Sequence, residues 1–221
     1  QGTLVENNAF TATSDDAVYI ERSHHNVVRG NEIDASSGAG VALEGSTFNV
    51  VEDNEMEANN GGVRVDVTHT PPVDVQSNDN RIEANLIEES GGIELLEAER
   101  NQVIDNTVAR ANDSGISLEF ANDNVVRGNE LSTNKNGISL KASSGNRFER
   151  NDASDSESTG ITLESGSFDN ELLRNESSNN DGDGVYVGDE SPAGTGTLLE
   201  GNITNNNKGY GLYVPKPSHI I

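Results

Sequence analysis

The chain has 221 residues, no cysteine and no tryptophan, and aromatic residues make up only 4% of it. Without cysteine, neither disulfide bonds nor thiolate metal ligands can form. The 38 acidic and 14 basic residues give a net charge of -24, which leaves no basic patch to meet the phosphates of a nucleic acid. No apolar stretch approaches the roughly 20 residues that a membrane-spanning helix needs.

The acidic balance also bears on the environment of the protein. Repulsion among so many like charges is costly at low ionic strength. In 1 M salt the Debye length shortens to about 3 Å, which removes most of that cost. The composition therefore favours a halophilic source, with an ordinary acidic surface protein as the alternative.

One sequence pattern recurs nine times along the chain. It contains an apolar residue at its third position and an asparagine at its sixth, as in Asn26, Val28 and Asn31. The instances start near residues 2, 26, 49, 80, 101, 124, 146, 170 and 197. The closing asparagines are Asn7, Asn31, Asn54, Asn85, Asn106, Asn129, Asn151, Asn175 and Asn202. Self-similarity at such a period is typical of a solenoid.

A second pattern follows each closing asparagine by seven to ten residues and consists of a small residue and two apolar residues spaced two apart. Gly115-Ile116-Ser117-Leu118 is an example. This alternation predicts a short strand with one buried face, and no sustained helical period is present. We therefore predict an all-β fold, a single-stranded right-handed parallel β-helix of about nine coils that forms one domain over residues 1–221.

The closing asparagines are predicted to stack as one continuous ladder. Tight turns between strands push a residue towards positive φ, which asparagine tolerates better than most other residues. Stacked amides can also donate and accept hydrogen bonds along the solenoid axis. Such a ladder would pair the turn backbone, which a thin core cannot leave unsatisfied.

The alternation of Asn-x-[Val/Ile]-x-x-Asn with Gly-[Ile/Val]-x-[Leu/Val] resembles the NosD-like, CASH-type repeats of the pectin-lyase-like superfamily, over essentially the whole chain. With the acidic composition, the resemblance implies a haloarchaeal member. The superfamily includes polysaccharide lyases, hydrolases, epimerases, phage tailspikes and non-catalytic surface proteins, so the fold does not choose a function. Of the polygalacturonase motifs only Asp15-Asp16 matches, and the Asp-Pro-His motif of mannuronan epimerases is absent.

The resemblance implies that the strand after each small residue lines a substrate groove. Two coils carry insertions directly after this strand, at residues 67–79 and 189–196, and insertions on one face of a solenoid often mark its binding side. The candidate catalytic residues are Glu44, Arg64, Asp66, His69 and Glu94. They offer paired carboxylates, a cation for a uronate and a base. The alternative is a solvated acidic stripe with one histidine in a loop.

Two further sets of residues are candidates for ligand binding. Tyr186 and Tyr213 should stack one coil apart, as a sugar-binding platform or as a cover for the C-terminal coils. Asp181-Gly182-Asp183-Gly184 is either a calcium-binding turn or a plain acidic turn. We predict no metal site and no required cofactor.

The leading functional hypothesis is an extracellular or cell-surface module that binds carbohydrate or serves as a spacer, with polysaccharide as the partner. The alternatives are a polysaccharide lyase or hydrolase that uses the candidate catalytic residues, and a segment of a viral spike or adhesin. No amphipathic capping helix precedes the first coil or follows the last. We therefore expect a fragment of a longer solenoid, or ends that are covered by partner subunits or end-to-end neighbours.

Overall fold

The computed structural model describes residues 2–69, 73–164, 166–188 and 196–215, and the strands of these ranges stack into three parallel sheets. Sheet 1 contains β1 (Leu4–Glu6), β4 (Val27–Arg29), β7 (Val50–Glu52), β10 (Arg81–Glu83), β13 (Gln102–Ile104), β16 (Val125–Arg127), β19 (Arg147–Glu149), β21 (Glu171–Leu173) and β23 (Leu198–Glu200). Sheet 2 contains β2 (Ala9–Thr11), β5 (Glu32–Asp34), β8 (Glu55–Glu57), β11 (Leu86–Glu88), β14 (Thr107–Ala109) and β17 (Glu130–Ser132). Sheet 3 contains β3 (Val18–Glu21), β6 (Ala39–Glu44), β9 (Gly61–Asp66), β12 (Ile93–Leu96), β15 (Ser114–Glu119), β18 (Asn136–Lys141), β20 (Ile161–Leu163), β22 (Val185–Val187) and β24 (Leu212–Tyr213).

Each strand pairs in parallel with its equivalent one coil away, so the paired strand residues have counterparts in the next coil. Val28 pairs with Val51, and Val51 pairs with Ile82. Sheets 1 and 3 each contain nine strands, and no helix occurs in the described ranges. The predicted all-β solenoid of about nine coils is therefore confirmed.

The core is a thin column of aliphatic side chains enclosed by the three sheets. In the central coils Ile116 and Leu118 point inwards from sheet 3, Val126 from sheet 1 and Leu131 from sheet 2, and all are buried. Phe148 is the largest fully buried side chain. Because each coil adds only one narrow layer to this column, a low content of large aromatic residues is sufficient.

The predicted asparagine ladder runs unbroken from the first coil to the ninth, but its first member is Asn8 rather than Asn7. The Oδ1 atom of Asn31 accepts hydrogen bonds from the backbone N–H of Asn8 at 2.9 Å and from its Nδ2 at 3.0 Å. The same pair of bonds joins Asn31, Asn54, Asn85, Asn106, Asn129, Asn151, Asn175 and Asn202 in sequence. Because Leu4 pairs with Val27, the first coil is shifted by one residue and starts at Thr3 rather than Gly2.

Of the two reasons expected for asparagine at the ladder position, the side-chain hydrogen bonds are confirmed and the tolerance of positive φ is not. Positive φ angles occur at the residue before the ladder asparagine, for example 60° at Gly30, 54° at Asp53 and 52° at Asp105. The ladder asparagines from the second coil onwards are therefore required for their side-chain hydrogen bonds and not for tolerance of positive φ. Asn7 itself has a φ of 55°, as befits a residue that aligns with Gly30.

A second asparagine ladder, which the sequence analysis did not predict, stacks the first residue of the repeat. It joins Asn26, Asn49, Asn80, Asn101, Asn124, Asn146 and Asn170 through bonds from Nδ2 to Oδ1. The two ladders flank sheet 1 on both sides. Together they pair the backbone of both turns that border this sheet.

Candidate functional site

The outer face of sheet 3 arranges equivalent side chains in columns along the solenoid axis. Arg64 pairs with Ala42 on one side and with Glu94 on the other. A second column places Glu44 of β6 beside Asp66 of β9. Because neighbouring strands lie about 4.8 Å apart, the predicted residues Glu44, Arg64, Asp66 and Glu94 occupy adjacent positions on one surface.

His69, the fifth predicted catalytic residue, lies beyond the end of β9 and is exposed to solvent. Its Nδ1 is 3.5 Å from Oδ1 of Asp74, and its Nε2 is 4.0 Å from Oε1 of Glu97. The segment that carries it begins with antiparallel pairing between Thr68 and Val75. The insertion predicted in the eighth coil consists largely of residues 189–195, which lie outside the described residues.

Arg64 is held in place by the carboxylate of Asp16. Its terminal nitrogen lies 3.1 Å from Oδ2 of Asp16, whose side chain is only 8% exposed. The other carboxylate oxygen of Asp16 accepts a hydrogen bond of 2.6 Å from the backbone N–H of Ala39. Within the described part of the chain, the Nε atom of Arg64 is buried without a hydrogen-bond partner. Asp16 and Arg64 are 48 positions apart, so no local motif signals their contact.

Two open clefts flank Arg64 on the face of sheet 3. One cleft, of about 240 Å³, lies beside Arg64, Glu94 and Ser117. Its floor includes glycines at which coils approach closely: a Cβ atom at Gly92 would come within 2.2 Å of the Ser114 carbonyl oxygen. The other cleft, of about 310 Å³, is lined by Asp15, Asp16, Tyr19, Glu44 and Arg64. The guanidinium of Arg64 thus borders both clefts.

Tyr19 joins the cluster through its hydroxyl group, which donates a hydrogen bond of 2.8 Å to Oε2 of Glu44. Burial, this hydrogen bond and the neighbouring charges of Glu44 and Glu21 raise the pKa of Tyr19 to about 12. The phenol is therefore a hydrogen-bond donor throughout the physiological pH range. The sequence alternation placed Tyr19 on this face, but the pairing with Glu44 depends on side-chain reach.

Two carboxyl groups of the cluster hold their protons more tightly than usual. Burial raises the pKa of Asp66, against opposing contributions from the Val67 backbone N–H and from Arg64. At Glu94, loss of water around the carboxyl group and the charge of Asp66 raise the pKa, and Arg64 opposes them. Raised carboxyl pKa values are a property of general acids.

The acidic turn at Asp181-Gly182-Asp183-Gly184 forms contacts with the next coil. Asp181 lies 2.7 Å from the Nζ atom of Lys208, and Asp183 accepts a hydrogen bond of 2.6 Å from the backbone N–H of Tyr210. Among the described residues, no group of three or more His, Asp or Glu side chains is placed to hold a metal ion. The same ranges contain no helix that is long and apolar enough to cross a membrane.

The predicted tyrosine pair is present at the C-terminal end of sheet 3. The ring centroids of Tyr186 and Tyr213 are 5.6 Å apart in an edge-to-face arrangement. Tyr210, which the sequence analysis had not included, stacks on Tyr213 with centroids 5.0 Å apart. Tyr210 was missed because it lies in the turn before β24, outside the alternating pattern.

Several solved structures share this architecture at low sequence identity. A mutant of the periplasmic alginate epimerase AlgG matches with a TM-score of 0.60 and 17% identity, over 87% of this chain and 62% of that one. The Streptococcus pneumoniae surface adhesin PfbA matches with a TM-score of 0.54 and 12% identity, over 96% of this chain and 71% of the adhesin. An alginate lyase from a Paenibacillus species matches with a TM-score of 0.52 and 11% identity, over 93% of this chain and 80% of the lyase. These similarities establish the fold alone.

No curated protein matches the chain significantly. The chain spans only about three fifths of the epimerase mutant's length, since it covers 62% of that structure. The family described as "right handed beta helix region" matches residues 1–90 and 73–219, which together include nearly the whole sequence. The chain therefore belongs to the right-handed beta helix family.

Proposed function

We propose that the chain is an extracellular or cell-surface module that binds carbohydrate on the outer face of sheet 3. The observation that carries this proposal is the pair of clefts beside Arg64, because both open onto the same face. A linear polymer that lies along the solenoid axis would contact both. Tyr19, Glu94 and Ser117 supply convergent polar groups for a ligand in the two clefts.

The charge of this face favours a neutral glycan over a polyuronate. Glu44, Asp66 and Glu94 supply carboxylates, and the positive charge of Arg64 is already paired with Asp16. A polyanion would meet like charges at short range, which disfavours its binding. We therefore expect a neutral glycan, and not the alginate that is named for the epimerase and lyase structures of the same fold.

We further propose an extracytoplasmic location and a haloarchaeal source for the protein. Neighbours of the same fold are described as periplasmic or as a surface adhesin, which supports an extracytoplasmic location. The excess of 38 acidic over 14 basic residues supports a haloarchaeal protein that works in high salt, and the repeat pattern supports a NosD-like or CASH-type member. Binding experiments therefore belong in molar NaCl.

The test is a screen of soluble polysaccharides by affinity gel electrophoresis, followed by titration of those that bind. Arg64→Met and Glu94→Gln should each weaken binding of a neutral glycan at least about tenfold, a loss of about 1.4 kcal/mol. Glu130→Gln, which removes an exposed carboxylate from β17 of sheet 2, is the matched control and should bind like the wild type. Equal affinity of all four proteins would reject this face as the binding site.

A polysaccharide lyase or hydrolase is the second candidate function. Burial raises the pKa of Asp66 and of Glu94 beside Arg64, which favours this function because raised carboxyl pKa values are a property of general acids. The experiment is to incubate the protein with the polysaccharide that it binds and to analyse the ends. New reducing ends indicate hydrolysis and unsaturated ends indicate elimination. Asp66→Asn should abolish either activity, and an intact polymer would leave binding as the function.

A further inference from the structure

A cluster of tyrosines occupies the C-terminal part of sheet 3, away from the clefts beside Arg64. Three of the four tyrosines in the chain, Tyr186, Tyr210 and Tyr213, lie here. The rings of Tyr210 and Tyr213 are stacked with an interplanar angle of 28°, and these side chains are 63% and 37% exposed. Most of the tyrosines of this protein, which has few aromatic residues, therefore form one solvent-accessible group.

Charged side chains border this tyrosine cluster. A depression of about 420 Å³ is lined by Lys141, Glu164, Tyr186 and Gly188. Gly188 packs closely on this surface, because a Cβ atom at this position would come within 3.0 Å of the Leu163 carbonyl oxygen and 3.2 Å of the ring of Tyr186. Lys141 also pairs with Glu119 at 2.6 Å, which holds its ammonium group over the face.

We propose that the tyrosine cluster and the adjoining depression form a second carbohydrate subsite, which binds a pyranose ring of a neutral glycan. The flat C–H face of the sugar would lie on the outer face of the Tyr210 ring, because Tyr213 is stacked against its other face. Tyr186 connects these rings to the depression, where the hydroxyl groups of the next sugar units along the solenoid axis would meet Glu164 and Lys141. An apolar platform beside a few polar groups is the usual composition of a small-molecule site.

This subsite lies on the same face as the clefts, and in this respect the inference rests on the proposed function. The outward column runs from Glu94 through Ser117, Ser139 and Thr162 to Tyr186, with each residue paired to the next. These four steps correspond to about 19 Å at the usual strand spacing of about 4.8 Å. A glycan chain that spans both places should therefore bind more tightly than a short oligosaccharide that reaches only one.

The probes are barley β-glucan, a soluble neutral polysaccharide, and the β-linked oligosaccharides cellotriose and cellohexaose, all in molar NaCl. We expect Tyr210→Ala to weaken β-glucan binding at least about fivefold. The control is Phe48→Ala, since Phe48 is 53% exposed and lies in a turn next to sheet 1. Ligand binding should also change the intrinsic fluorescence of the wild type, because the chain has no tryptophan and its emission comes from tyrosine.

The variants separate this inference from the proposed function. If Arg64→Met weakens binding and Tyr210→Ala does not, the clefts bind glycan and the tyrosine subsite is rejected. If Tyr210→Ala weakens binding and Arg64→Met does not, the tyrosine subsite stands and the clefts are rejected. Equal affinity for cellotriose and cellohexaose would reject the idea that one glycan chain contacts both the clefts and the tyrosine subsite. Absence of β-glucan binding by the wild type would reject the tyrosine subsite for β-linked glucans.

Discussion

Replacement of a single ladder asparagine should destabilise the whole solenoid, and Asn106→Leu tests this at the centre of the chain. Asn106 is fully buried. Its Oδ1 accepts from the backbone N–H of Asn85 at 3.0 Å and from the Nδ2 of Asn85 at 2.9 Å. Its Nδ2 donates to the carbonyl oxygen of Ile82 and to Oδ1 of Asn129, both at 3.0 Å. The substitution removes all four hydrogen bonds.

The cost follows from what remains on the neighbouring groups. The Nδ2 of Asn85 still donates to the Val51 carbonyl oxygen, and Oδ1 of Asn129 still accepts from the Asn106 backbone N–H. The backbone N–H of Asn85 loses its partner in a buried turn, at about 1–3 kcal/mol. The three other bonds contribute about 0.5–1.5 kcal/mol each. We expect the free energy of unfolding to fall by about 2.5–7.5 kcal/mol, a large part of the total stability of a domain.

Urea unfolding followed by circular dichroism measures this loss, since urea leaves the ionic strength constant. Asn112→Leu is the matched control, because Asn112 is an exposed asparagine outside both ladders. It should change the free energy of unfolding by no more than about 0.5 kcal/mol. A loss of less than 1 kcal/mol for Asn106→Leu would refute the argument that side-chain hydrogen bonds explain asparagine at this position.

The remaining predictions concern charge. With a net charge of -24, the melting temperature should rise as NaCl increases from millimolar to molar concentration, through screening of like charges; a flat or falling curve would contradict a halophilic origin. Ultraviolet titration should show one tyrosine, absent in Tyr19→Phe, with a pKa of about 12. Because the folded state holds this proton more tightly, stability should fall as pH rises from the usual tyrosine pKa of about 10 to about 12. Glu94→Gln should stabilise the protein at neutral pH relative to the wild type, because the raised pKa of Glu94 reports a disfavoured charge. This difference should shrink in acid, where Glu94 is protonated, and an unchanged difference across the pH range would contradict the cause assigned.

The amino-acid sequence by itself determined the solenoid of about nine coils, the ladder asparagines from the second coil onwards and the strand after each small residue. The reason is that each coil of a solenoid has the same local structure. Inward residues such as Ile116 and Leu118 alternate with outward ones, and the next coil repeats this alternation. The first coil was the exception, since its pattern allowed Asn7 as well as Asn8 and only the pairing of Leu4 with Val27 fixed the register. The second ladder was visible in the repeat as Asn26 and its counterparts, but its role was not recognised.

The tertiary structure decided the contacts that reach across coils or leave the alternating pattern. Asp16 reaches Arg64 over two coils, and Tyr210 stacks on Tyr213 from a turn. The clefts likewise depend on how closely glycines such as Gly92 allow neighbouring coils to approach. Backbone periodicity is a local property that the sequence carries in every repeat. The direction and reach of a long side chain depend on neighbours brought together by stacking, so the chemistry of the face appears only in the folded chain.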